Sequence, residues 1–162
     1  MYASLGTRPD ITLRLSKFLQ NPGKAHWEAI RNVLRYLNGT RMHWLIFCEK
    51  EANLIAWVDA DGSQEEDRQA FTGYAFLIDR GAVSWSSKQQ EIVVLSTTER
   101  EYVAATHVAK EALWLRSFIG EVFGSTLTPT TLFSDNKSAI ALSRDHQYHA
   151  RTKHIDIRYH FI

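Results

Sequence analysis

Leu95-Ser96-Thr97-Thr98-Glu99-Arg100-Glu101 marks the point where the chain changes its hydrophobic period, and the fold is read outward from it. Ser96 is spaced to accept from the amide three residues on, and Glu99 to reach back to the cap, the box that opens a helix. Downstream, Ala105, Val108, Ala112, Leu115 and Ile119 recur at helical spacing and predict a long helix to about Phe123. Upstream, the short β-type runs Trp44–Cys48, Leu54–Asp59, Phe71–Ile78 and Ala82–Ser86 are divided by the turn-rich stretches Asp59–Gln64 and Asp79-Arg80-Gly81. That is an antiparallel meander leading into a helix.

Further along, Thr130–Ser134 reads as a short strand, Asn136–Leu142 as a short helix and Lys153–Ile162 as an amphipathic helix. At the other end, Pro9-Asp10 opens a segment with Ile11, Leu15, Phe18 and Leu19 on one face, stopped by Asn21-Pro22-Gly23. A second helix from Lys24 carries Trp27, Ile30, Val33, Leu34 and Leu37 and stops at Asn38-Gly39. The whole reads as an α/β (α+β) domain with a mixed sheet, an antiparallel meander, flanking helices and an N-terminal helical hairpin. The composition shift around residues 49–53 divides it into a hairpin, 1–50, and a sheet domain, 51–162.

Composition narrows the classes of function. The 162 residues are 44% hydrophobic, with eight Gly and three Pro, which fits an ordered globular chain. A formal charge of +1 gives no global basic field, so any nucleic-acid surface is local. Cys48 is the sole cysteine, which excludes an internal disulfide framework and a thiolate zinc site. No apolar run approaches the ~20 residues of a membrane helix, so no membrane partner is expected. The tryptophans Trp27, Trp44, Trp57, Trp85 and Trp114 fall in apolar runs or strands and are assigned to core packing.

Three carboxylates stand where acids are costly. Asp59 ends the run Leu54–Val58, Glu101 shares the inward helical face of Ala105 and Val108, and Asp135 ends Leu132-Phe133-Ser134. Singly, Asp59 reads as a turn residue, Glu101 as a complement to the helix dipole and Asp135 as an N-cap. Together they form the arrangement that holds a pair of divalent ions. Asp61 shares a strand face with Asp59 if the strand extends that far, and is a second candidate.

Trp57-Val58-Asp59-Ala60-Asp61, Phe71-Thr72-Gly73-Tyr74, Val83-Ser84-Trp85-Ser86-Ser87-Lys88-Gln89, Leu95 to Tyr102, Ser134-Asp135-Asn136-Lys137-Ser138-Ala139-Ile140 and Arg151-Thr152-Lys153-His154-Ile155-Asp156 resemble the ribonuclease H domain of copia-type retrotransposon Pol polyproteins. Gly6 to Ile11 and Asn21 to Trp27 resemble the end of the adjoining reverse transcriptase region. The resemblance implies a ribonuclease H-like fold and an endoribonuclease, a hydrolase of the RNA strand of RNA·DNA hybrids during reverse transcription. It implies two Mg²⁺ or Mn²⁺ ions, with catalytic and metal-binding roles for Asp59, Glu101 and Asp135. It puts the family's fourth carboxylate beyond residue 162, so weak or absent cleavage by this chain is expected. The alternative is an inactive transposon remnant that keeps the fold and weak nucleic-acid binding. As partners the resemblance implies the hybrid and the reverse transcriptase and integrase portions of the same polyprotein. As location it implies the cytoplasm, in a virus-like particle, or the nucleus. Gly62 departs from the aromatic residue usual in the family. Four histidines, His146, His149, His154 and His160, interleave in the tail with Arg151, Lys153 and Arg158, which read as a phosphate-gripping patch.

Overall fold

The computed structural model describes residues 2–16, 22–47, 53–62, 70–92, 96–124 and 128–144. Strand β1 (Leu54–Gly62) pairs antiparallel with β2 (Ala70–Ile78), which pairs antiparallel with β3 (Gly81–Gln89). The short β4 (Thr131–Phe133) joins β1 in parallel, giving the mixed order β3-β2-β1-β4. Alternation decides the faces. Leu54, Ala56 and Val58 are buried, and with Phe76 they meet Ala104, Val108, Ala112, Leu115 and Ile119 of α4 (Thr97–Phe123) in the core. Ile55, Trp57, Asp59 and Asp61 belong to the opposite face.

Ser96 caps α4, its hydroxyl accepting from the Glu99 amide at 3.2 Å. The helix ends where the sequence predicts, with Gly124 at φ 65° and its amide on the Gly120 carbonyl. The β2–β3 hairpin closes through Asp79 and Arg80, both at positive φ (48° and 72°), as a two-residue type I′ connection requires. Gly81 lies directly under the Phe47 ring, where a side chain would collide.

Three sequence expectations are corrected. β1 does not end at Asp59: pairing continues through Asp61↔Phe71 to Gly62↔Ala70, and the ladder outweighs the turn character of Asp-Ala-Asp-Gly. Residues 44–47 form no strand and are exposed, Trp44 at 76%. Nor are the tryptophans core: Trp27, Trp44, Trp57 and Trp114 are all more than half exposed. Trp57 sits on the sheet face away from α4, and Trp114 stacks on Phe118 on an exposed side of α4, because i,i+4 spacing also makes a pair outside the core.

The N-terminal segment is more broken than its periodicity suggests: α1 (Tyr2–Gly6), a 3₁₀ turn (Pro9–Ile11), then α2 (Thr12–Ser16). It packs on β3, where Trp85 Nε1 donates to the Ser4 carbonyl at 2.6 Å and the Ser16 and Ser87 hydroxyls bond at 2.8 Å. Helix α3 (Lys24–Gly39) has the expected bounds. Arg8 ties it down, donating to both Asp10 oxygens and to the Thr40 hydroxyl while its guanidinium lies over Tyr36. Helix α5 (Lys137–Arg144) follows β4. Among the described residues no helix is long and apolar enough to cross a membrane.

Candidate metal centre

Pairing of β1 with β4 ends at Trp57↔Phe133, whose rings stack at 4.7 Å on the open face. Two residues beyond that pair stand two acids, Asp59 still within β1 and on the Trp57 face, and Asp135 just past the end of β4. Glu101 reaches them from the second turn of α4. One carboxylate oxygen from each of Asp59, Glu101 and Asp135 lies within 4.8 Å of the others. Residues 42 and 34 positions apart in sequence are thus gathered by strand register and helix phase.

The three are unequally placed. Asp59 and Asp135 are exposed, whereas Glu101 is buried at 6%. Its Oε1 accepts from the Ala60 amide at 3.2 Å, beyond the point where β4 has stopped pairing. Among the described residues its Oε2 is buried without a hydrogen-bond partner. Burial pushes the Glu101 carboxyl up to about 7; the Ala60 amide opposes this, Asp59 and Asp135 add to it, and Arg100 lowers it. A buried carboxylate with an orphaned oxygen, facing two further carboxylates, is costly unless a cation compensates it. The all-oxygen donor set suits a hard divalent ion such as Mg²⁺.

The single-residue readings fare differently. Asp135 is not the cap of α5; Asn136 is, its Oδ1 accepting from the Ser138 and Ala139 amides at 3.0 Å, which leaves the Asp135 carboxylate for the cluster. Asp59 lies inside β1 and not in a turn. Asp61 shares the Asp59 face, but the converging set is Asp59, Glu101 and Asp135. Arg151, Lys153, Arg158, the four tail histidines and Asp156 lie outside the described residues. Sequence reasoning missed the Ala60 amide, since nothing in a side-chain pattern shows which backbone donor a strand end leaves over.

No protein-family model matches the chain. Over its whole length it is 49% identical to the retrovirus-related Pol polyprotein from transposon TNT 1-94 of Nicotiana tabacum, and over 96% of it 39% identical to that from transposon RE1 of Arabidopsis thaliana. It spans only 12% and 11% of these relatives. It is also 42% identical over 120 residues to secreted RxLR effector protein 161 of Plasmopara viticola, covering 71% of this chain and 84% of that protein. Among solved structures, the catalytic domain of human endonuclease V aligns at 13% identity and a TM-score of 0.28, over 68% of this chain and 48% of that one, a likeness too slight to build on.

Proposed function

This chain belongs to the family of retrovirus-related Pol polyproteins of transposons, and from that premise we propose that it is their ribonuclease H part, hydrolysing the RNA strand of RNA·DNA hybrids. The observation that carries the reading is the convergence of Asp59, Glu101 and Asp135, with one carboxylate oxygen of each within 4.8 Å of the others. Divalent ions, Mg²⁺ or Mn²⁺, bound there as a pair supply an activated water and neutralise charge at the scissile phosphate.

Each residue of the chain has its part. Asp59 and Asp135, exposed and side by side, are the ligands open to substrate. Glu101 is held from behind, its Oε1 accepting from the Ala60 amide. Anchored this way, it loses little freedom on binding, and its burial keeps bulk water from that side. Arg151, Lys153 and Arg158 contribute phosphate contacts, so hybrid affinity falls as salt rises. Other regions of the polyprotein are the partners in the intact assembly.

The test is cleavage of a hybrid labelled on its RNA strand, with Mg²⁺ or Mn²⁺, alongside calorimetric titration of Mg²⁺. Asp135→Asn and Glu101→Gln are each expected to lower metal-dependent cleavage at least about 100-fold and to weaken Mg²⁺ binding. Cleavage that survives Asp135→Asn, or a wild-type chain that binds no Mg²⁺, overturns the reading. Mg²⁺ binding without cleavage favours the inactive remnant.

A further inference from the structure

On the side of α4 turned away from the core, Trp114 and Phe118 stack one turn apart, with ring centroids at 5.4 Å and planes at 7°, and are 58% and 48% exposed. Leu113 and Val122, each at least half exposed, widen the apolar surface. Lys110 precedes the pair by one turn and Glu121 follows it, both exposed and on that outer face, and the exposed Ser117 lies between them. The order along the helix is therefore cation, ring, ring, anion. Glu101 belongs to the opposite, buried row with Ala112, Leu115 and Ile119, so the outer face takes no part in the metal centre.

That order is its own complement when reversed. With a second α4 laid antiparallel across the first and the twofold axis beside Arg116, Trp114 of each copy meets Phe118 of the other, and Lys110 meets Glu121 at both ends. An isologous interface requires this reciprocity, residue i facing j and j facing i. A parallel pairing would set Lys110 against Lys110 and Glu121 against Glu121, which repels. Lys110 also has an interaction within its own chain, and its ammonium carries three donors, so the rim charge acts beside that contact. Four rings then share an apolar centre with charges at its rim, the anatomy of a specific interface. The exposed parts of these apolar side chains offer roughly 400 Å² per copy. Two copies with their polar rims come to about 1,000 Å², the lower bound of a biological interface. We propose that the chain forms a reversible twofold dimer through the outer face of α4, held by Trp114 and Phe118 and oriented by Lys110 and Glu121. The Glu101 residues of the two copies are then ~45 Å apart along the helix axes.

The test is sedimentation equilibrium of the full 162-residue chain over a concentration series, with a chelator present so that metal plays no part. Wild type is expected to pass reversibly from one chain to two. Trp114→Ala and Phe118→Ala should each raise the dimer Kd at least about tenfold. Lys110→Glu sets two acids against each other at both rims, and Glu121→Lys two cations, so each variant alone should dimerise at least about tenfold more weakly than wild type. An equimolar mixture of these two should recover the wild-type affinity, because each then finds its complement in the other. Misfolded chains cannot give that recovery, and the four positions are exposed, so circular dichroism should match wild type throughout. A wild-type chain that stays single up to about 1 mM overturns the dimer. A dimer that Trp114→Ala and both charge reversals leave unchanged has its contact elsewhere and overturns this interface. A mixture that fails to recover overturns the antiparallel pairing.

Discussion

At Glu101 the chemistry of a single side chain sets a pH dependence for the whole chain. Its carboxyl titrates near 4.5 when unfolded and is pushed up to about 7 in the fold. The folded state therefore holds the proton more tightly, so this contribution to stability is complete below about 4.5 and lost as pH rises through about 7. The difference is worth about 3 kcal/mol. Urea melts without divalent ions should show stability falling between about pH 5 and pH 8, and the fall should vanish in Glu101→Gln; a wild-type profile that is flat over that range contradicts the burial argument. The same residue gives the sign for metal. At pH 8, Mg²⁺ at about 100 times its Kd should restore about 2.7 kcal/mol to the wild type and much less to Asp135→Asn, as measured by the shift in melting midpoint.

At the scale of elements, capping and turn chemistry decide where side chains point. Asn136 holds the first turn of α5 and so frees Asp135. Asn136→Ala should cost about 1 kcal/mol and weaken Mg²⁺ binding as well, a pairing of effects that calorimetry and denaturation can check together. Arg80, at φ 72°, occupies a conformation that costs a side-chain-bearing residue about 1 kcal/mol. Arg80→Gly should accordingly raise the melting temperature without altering metal affinity. Much of this level is legible in the sequence. The Ser96 cap and the stripe from Glu101 to Ile119 are local signals, and the structure keeps the cap and the stripe except that Ala104, not Ala105, enters the core. The continuation of β1 past Asp59 is not legible, because it depends on Ala70–Gly73 arriving as a partner from elsewhere in the chain. The choice between Asp135 and Asn136 as cap is a matter of one residue in phase, which type preference alone does not resolve.

For the molecule as a whole, the N-terminal segment is attached to the sheet among other contacts by Trp85 reaching the Ser4 carbonyl. Trp85→Phe removes that donor while keeping most of the ring, and hydrogen exchange should quicken through residues 2–16 far more than through α4; uniform quickening would mean the indole supports the sheet itself. How this segment sits was hidden from periodicity, which reports that a face is apolar and not which strand receives it. The sheet also ends, among the described residues, in outer strands of very different length, β3 with nine residues and β4 with three. Templated growth of one chain on another needs a long row of open amides. Among the described residues β4 presents a row too short to start one.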